Sequence, residues 1–164
     1  MKALGKALVF VLLFAALVVI GVCIFKRIEF KQNCSGYLHQ AADASTVEIC
    51  LDRLTKAIDY VEARGWTEGY TSVLYKTEDE NVGFWYQNLK LCQDVLTASV
   101  GQESLVQSNV LMRVREVLTD NGEKGTKLTI PDGLVYYPNN LPWALARLFA
   151  CIMLFGCYVA IKED

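Results

Sequence analysis

Cysteine is the residue type of this chain that offers the most chemistry, and six cysteines occur among its 164 residues. Three lie in strongly apolar stretches, where a thiol behaves as a small hydrophobic group: Cys23, Cys151 and Cys157. The other three lie in the less apolar middle of the chain: Cys34, Cys50 and Cys92. An odd number excludes a complete disulfide framework there, so two interpretations stay open: buried core thiols, or one disulfide whose pair is unknown. No Cys-x-x-Cys pair occurs, which argues against thioredoxin-like chemistry and zinc ribbons.

The remaining candidates for catalysis are few. His39 is the only histidine, so any Ser-His-Asp or Cys-His arrangement would have to use it. Its neighbours Cys34 and Asp43 do not have the spacing of a known metal site, and we expect a surface histidine and no metal. Glu78 and Asp79 could serve an enzyme that uses only carboxylates, but helix capping is the better explanation of these residues. No glycine-rich phosphate loop occurs, and we expect no cofactor.

Charge is unevenly distributed along the chain. The formal net charge is −2, yet residues 28–140 carry 10 basic and 16 acidic side chains. Such an acidic region repels phosphate backbones, so the composition argues against nucleic-acid binding.

Two apolar stretches, one near each end of the chain, determine how the middle region is placed. Residues 7–25 contain no charged side chain, and as a helix they would extend about 28 Å, close to the thickness of a bilayer core. Residues 141–161 are similarly apolar and are interrupted only by Arg147. The sequence therefore predicts a short tail (1–6), a first transmembrane helix (7–25), a domain (26–140), a second transmembrane helix (141–161) and a tail (162–164).

The orientation follows from weaker signals. Basic residues flank the first apolar stretch on both sides, so the positive-inside rule nearly cancels. The start resembles an export signal, but the stretch is long and lacks a cleavage site, which favours a retained anchor. We expect an integral membrane protein of the bacterial inner membrane or plasma membrane, with both termini cytoplasmic and a periplasmic or extracellular domain.

Three helices are predicted in the middle region. Ser45 with Glu48, and Thr77 with Glu80, are capping-box pairs that predict two helix starts. Apolar residues then recur every three or four positions up to Gly65 and Gly101, where these helices should end. A third helix is expected over residues 103–118. Residues 30–44 also have helical spacing, with an expected break at Ser35-Gly36.

A short β-hairpin is predicted close to the membrane. Residues 126–130 and 134–137 are β-prone and flank the turn signal Pro131-Asp132-Gly133. Aromatic and basic residues follow that are suited to the headgroup layer: Tyr136, Tyr137, Trp143 and Arg147. The predicted fold is thus mainly α, with two transmembrane helices that bracket a small helical bundle and a possible short hairpin.

Two sets of residues are candidate interaction surfaces. Phe84, Trp85 and Tyr86 are consecutive and point about 100° apart on a helix, so Phe84 or Tyr86 is left for a second layer or a partner. Small residues share one face of the second apolar helix and permit close approach of the first helix or of another subunit: Ala146, Ala150, Gly156, Cys157 and Ala160.

These surfaces favour an interaction protein over an enzyme. We expect a non-catalytic accessory subunit of a cell-envelope membrane complex, whose partners are the lipid bilayer and another membrane protein or a second copy. The alternative is a ligand-sensing membrane protein that signals through a partner. A carboxylate-based enzyme is the third hypothesis.

Overall fold

The computed structural model describes the backbone of residues 2–122 and 125–163, and the side chains of residues 9–120, 126–156 and 159. This part of the chain is mainly helical and contains one small antiparallel sheet. Its α-helices and β-strands are α1 (Lys2–Phe30), α2 (Gly36–Ala42), α3 (Val47–Ala63), α4 (Val82–Ser99), α5 (Ser104–Leu118), β1 (Thr119–Gly122), β2 (Gly125–Leu128) and α6 (Asn140–Glu163).

Helix α1 continues into α2 without a break, through one π-helical turn at Lys31–Ser35. The predicted interruption at Ser35-Gly36 is therefore wrong. The N–H of Gly36 donates to the carbonyl of Lys31, five residues earlier. A Cβ at this position would lie 2.6 Å from that carbonyl oxygen, so glycine is what lets the wide turn form.

One helix in the described part of the chain is long and apolar enough to cross a membrane. It extends over Val9–Ala42, lies near the amino terminus, and only 6% of its most apolar stretch is buried. A signal sequence meets the same criteria of length and composition. Within the described residues, the apolar part of α6 that could be assessed is shorter, Asn140–Gly156, so the prediction of two clear transmembrane helices is corrected to one. Part of the predicted span 141–161 has side chains outside the described residues.

Helices α1 and α6 pack side by side and run antiparallel. At one end Arg27 donates to the hydroxyl of Tyr136, just before α6 begins. Further along, Ile20 and Leu154 line the same crevice. Ala16, Cys23 and Ala150 are buried, whereas large apolar side chains such as Phe14 on α1 and Phe149 on α6 are exposed.

The core of the domain is formed chiefly by α2, α3, α4 and α5. The predicted stripe of α3 is buried except for Leu51, which is half-buried. Its buried members are Val47, Cys50, Leu54, Ala57, Ile58 and Val61. The cap of α3 is Thr46, whose hydroxyl accepts the N–H of Ile49 at 3.3 Å, and Ser45 is not the cap. Both residues can cap a helix, and the extended backbone of Thr46 places its hydroxyl correctly.

The start of α4 also differs from the prediction. Thr77 donates to Glu80 at 2.9 Å, but this pair lies on a 3₁₀ turn, Glu78–Glu80. The cap of α4 is Asn81, which accepts the N–H of Phe84 at 3.0 Å. The 3₁₀ turn reverses the chain before the helix, so the helix begins four residues later than its first cap signal suggests.

The short sheet lies earlier in the chain than expected. Strands β1 and β2 pair with Thr119 opposite Leu128, so residues 119–122 replace residues 134–137 as the partner strand. Thr129 extends the pairing, because its N–H donates to the carbonyl of Leu118 at 3.0 Å. Residues Leu134–Tyr136 form a 3₁₀ turn, reached through Gly133 at φ 81°.

Candidate functional site

A groove lies between the start of α4 and the β2 region, and we call it the acidic groove. Its volume is about 850 Å³, within the range of binding pockets. The 3₁₀ turn and the first turns of α4 form one wall, and residues 127–132 form the other. Trp85, Leu89 and Leu128 lie buried along its apolar side.

The charges of the acidic groove are strongly biased. Its lining includes five carboxylates: Glu78, Asp79, Glu80, Asp120 and Asp132. Lys127 is the one cation among the described lining residues, and its ammonium lies 3.9 Å from Asp132 in a highly exposed pair. Such a pair offsets little charge because water screens it. The groove is therefore suited to a ligand that is cationic at one side and apolar at the other.

The two candidate partner residues on α4 have different environments. Phe84 lines the acidic groove and is 59% exposed. Tyr86 instead packs against the core and donates to Glu62 at 2.7 Å. This hydrogen bond raises the pKa of Tyr86 and lowers that of Glu62. Tyr86 thus has a partner within the chain, and Phe84 is the side chain left open to another molecule.

The predicted membrane-interface residues form a cluster of rings and cations where α1 meets α6. The Tyr136 and Trp143 rings lie 5.8 Å apart. The Arg147 guanidinium lies 4.4 Å from the centre of the Tyr136 ring, and the Lys26 ammonium lies 5.3 Å from that of Trp143. Arg147 thereby extends from the second turn of α6 towards its start, as a snorkelling side chain would.

Tyr137 is placed differently from its three companions. Its hydroxyl donates to the carbonyl of Glu68 at 2.7 Å, and its ring packs against the domain core. Gly69 allows this approach, because a Cβ there would collide with the Tyr137 hydroxyl. Tyr137 therefore fixes the loop before α4 to the segment that leads into α6.

The small-residue face of α6 only partly meets α1. Ala150 is buried and Ala146 is half-buried. Gly156 is exposed, and a Cβ added to it would have no atom within 4 Å. Cys157 and Ala160 have side chains outside the described residues. Interaction of this face with another subunit stays a prediction.

The thiols of the domain are buried and free in this structure. Burial raises the pKa of Cys50 to about 11 and that of Cys92 to about 11, so both are protonated at neutral pH and poorly nucleophilic. Cys34 is also fully buried. A disulfide among Cys34, Cys50 and Cys92 stays a prediction.

The other three catalytic candidates lie at the surface of the domain. His39 is exposed, and Glu78 and Asp79 are exposed at the rim of the acidic groove. Within the described residues, no group of three or more His, Cys, Asp or Glu side chains is arranged to hold a metal ion.

Sequence reasoning missed the second wall of the groove and a pocket beside it. Asp120, Lys127 and Asp132 were not associated with the residues around Phe84, because the two walls are far apart in the chain. Thr71 and Asn140 are similarly 69 residues apart, yet the Asn140 amide donates to the Thr71 carbonyl at 2.7 Å. A polar Asn at the start of an apolar helix was the one local signal available.

Two features of the described residues thus offer binding surfaces, the acidic groove and the pocket beside the ring–cation cluster. Both lie on the side of the domain that carries the loop 70–81. Comparison of the chain with family models, with curated proteins and with solved structures finds no match.

Proposed function

We propose that this protein is a membrane-anchored, non-catalytic interaction protein, an accessory subunit of a cell-envelope membrane complex. In this proposal the acidic groove holds a cationic and apolar segment of a partner membrane protein. The observation that carries the proposal is Phe84. It is a large aromatic ring, 59% exposed, beside an apolar groove wall and an acidic rim.

The outward surface of the α1–α6 pair supports the membrane anchor. Large apolar side chains that would meet water in a soluble protein are exposed on the broad face of α1 that does not contact α6, with exposures such as 70% for Phe14 and 66% for Phe25. Leu145, Leu148 and Phe155 continue this surface on α6. Contiguous exposed apolar surface of this extent favours contact with lipid. The ring–cation cluster then lies where headgroups would be.

The charge of the groove determines the chemistry of the partner segment. Five carboxylates against one lysine attract Lys or Arg side chains and disfavour acidic ones. The buried ring of Trp85 and the exposed ring of Phe84 favour apolar or aromatic side chains next to those cations. We therefore expect a short segment in which basic and apolar residues alternate or adjoin.

Site-directed photo-cross-linking in native membranes tests the proposal. A photo-reactive amino acid at Asn88 lies in the groove, and the same amino acid at Asp94, exposed on α4 and outside the groove lining, is the matched control. We expect a discrete adduct from position 88 only, with a cross-linked peptide that is basic and apolar by mass spectrometry. High salt should lower the yield of this adduct, because it screens the attraction between the carboxylates and a basic segment. No adduct at position 88, or an acidic peptide there, would contradict the proposal.

Replacement of Phe84 provides the second arm of the test. Phe84→Ala should reduce the yield of the adduct at position 88 about tenfold, since exposed aromatic residues are frequent hot spots of interfaces. Leu91→Ala is the matched control, because Leu91 is 60% exposed on α4 but lies outside the groove lining. Equal yields from the two variants would remove Phe84 from the interface.

A ligand-sensing protein is the second candidate, and the continuous α1–α2 helix favours it. The same helical rod contains the apolar membrane segment and the core residues Cys34 and Leu38. At the junction, Arg64 pairs with Glu29 and stacks 5.8 Å from the centre of the Trp66 ring. A ligand that shifts the domain would therefore also move α1. Ligand-dependent changes in cross-linking along α1 would favour this candidate over the first.

A further inference from the structure

A second cavity of about 590 Å³ lies between the loop 71–75, the turn at residues 132–135 and the junction of α1 with α6, and we call it the interfacial pocket. It shares Thr77, Glu80 and Asp132 with the acidic groove on one side. On the other side it shares Arg27, Tyr136 and Arg147 with an apolar crevice between α1 and α6. The pocket is thus continuous with the membrane-facing helices and with the domain.

Three residues that line this pocket each have a buried side-chain oxygen with no hydrogen-bond partner among the described residues: Thr71 Oγ1, Ser72 Oγ and Asn140 Oδ1. Thr71 is only 2% exposed and Asn140 only 8%. Buried polar groups are nearly always paired, because an unpaired one forfeits its hydration without compensation. Three of them on one cavity indicate a polar ligand that supplies the missing bonds.

The amide of Asn140 determines what that ligand must donate. Its Nδ2 donates to the carbonyls of Thr71 at 2.7 Å and Gly133 at 3.0 Å, which fixes the orientation of the amide. Oδ1 is therefore an acceptor, and it requires an N–H or O–H from the ligand. The hydroxyls of Thr71 and Ser72 can each donate to a ligand oxygen as well as accept.

The charges of the interfacial pocket are separated. Arg27 and Arg147 lie at the end that meets the crevice, and in the described part of the chain neither forms an ion pair with a carboxylate. Glu80 and Asp132 lie at the end that meets the acidic groove. Guanidinium groups bind phosphate well, and carboxylates attract an ammonium. The pocket therefore fits a zwitterion with its phosphate towards the helices.

The crevice supplies the remaining part of the ligand. Its volume is about 260 Å³, and it is lined by apolar side chains of both helices, among them Ile20, Cys23, Ala150 and Leu154. An acyl chain would lie there with its headgroup phosphate at Arg27 and Arg147, because those two residues line both cavities. The ring of Tyr136, beside both guanidinium groups, marks the same boundary.

We propose that the interfacial pocket binds the phosphoethanolamine headgroup of a phospholipid, with one acyl chain in the crevice between α1 and α6. A primary ammonium supplies the N–H that Asn140 Oδ1 needs, whereas a choline headgroup has no N–H to donate. This inference rests on the membrane anchoring proposed above, and it does not depend on a partner in the acidic groove.

Lipid retention by the purified full chain tests the proposal. The delipidated protein is mixed in mild detergent with phosphatidylethanolamine, phosphatidylcholine or phosphatidylglycerol of identical chains, and native mass spectrometry measures the bound fraction. We expect retention of phosphatidylethanolamine at least tenfold above the other two. Equal retention of phosphatidylethanolamine and phosphatidylcholine by the unaltered protein overturns the proposal without any variant.

Three variants locate the site on the chain. Arg27→Gln and Arg147→Gln should each lower retention of phosphatidylethanolamine about tenfold, and Ser72→Ala about threefold. Arg113→Gln, on the exposed face of α5, is the matched control and should leave retention unchanged. Circular dichroism confirms that each variant is folded. Unchanged retention in both folded arginine variants overturns the assignment.

Soluble competitors separate the headgroup from a simple phosphate site. Glycerophosphoethanolamine should displace the lipid at millimolar concentration, and inorganic phosphate should not. Displacement by inorganic phosphate at equal potency would contradict a zwitterion site. Alkaline carbonate extraction of membranes distinguishes failure of the membrane-anchor proposal from failure of the lipid-site proposal. Release of the chain from the membrane would contradict both proposals. Retention of the chain in the membrane, together with no preference among the three lipids, would contradict the lipid site alone.

Discussion

The α1–α6 pair and the α3–α4 pair bury opposite kinds of side chain. Between α3 and α4 the large residues Leu54, Ile58 and Leu89 are almost fully buried. Between α1 and α6 the buried residues include the small Ala16 and Ala150, and large ones such as Phe14 and Phe149 are exposed. Close contact through small residues with large residues outside is typical of helices in lipid, and the reverse is typical of helices in water.

The sharpest way to test this comparison is to truncate one large side chain in each pair. Leu54→Ala should lower the free energy of unfolding of the domain by about 2–5 kcal/mol, because it removes a fully buried side chain and leaves a cavity. Phe14→Ala removes a larger side chain that is 70% exposed and should change the same quantity by less than about 0.5 kcal/mol. Urea unfolding of the full chain in detergent, followed by circular dichroism, measures both. Similar losses would end the contrast between the pairs.

Some parts of the fold could be predicted from the sequence and others could not. The stripe of α3 and the bounds of α5 were correct to within about one residue, because periodic apolar positions specify them. The wide turn at Gly36 and the pairing of β1 with β2 were missed. At Gly36, a hydrogen bond to the carbonyl of Lys31 keeps the helix continuous where a glycine usually indicates a break. In the sheet, residues 119–122 pair with residues 125–128, although the turn signal lies at residues 131–133.

The candidate sites were harder to predict than the fold. Phe84 was identified because three consecutive aromatic residues cannot share one helix face. The interfacial pocket was not, because its residues come from four separate segments and only the fold brings them together. Thr71 and Ser72 have no distinguishing pattern in the sequence, and Arg27 was interpreted only as a flanking charge.

Alkaline pH gives a second contrast, between cysteines of the two pairs. Burial raises the pKa of Cys50 in the folded state to about 11, above the usual value of about 8.5. A raised pKa means that the stabilisation is complete below about pH 8.5 and is lost as the pH rises towards 11. In reducing agent this loss should be about 3 kcal/mol for such a group.

Variants of two cysteines test this pH dependence through the slope of the unfolding free energy against pH. Cys50→Ala should make the decline of the unfolding free energy between pH 9 and pH 11 shallower, because one buried thiol no longer ionises on unfolding. Cys151→Ala is the matched control, since Cys151 is exposed on α6. A decline that is equally steep in the Cys50→Ala protein would show that burial of this thiol does not set the alkaline limit.

The smallest expected effect concerns the close contact of α1 with α6. Ala150→Leu adds a large side chain at a position only 3% exposed, and overpacking of this kind costs about 1 kcal/mol or somewhat more. The two helices should separate more often, so that Cys23, now 8% exposed, reacts several-fold faster with a lipid-soluble maleimide. Leu148→Phe enlarges a side chain that is 58% exposed and should leave this rate unchanged. Because Cys23 and Cys151 occur in different peptides, mass spectrometry reports the labelling of each separately. If both variants raised the rate equally, helix packing would not depend on which face carries the small residues.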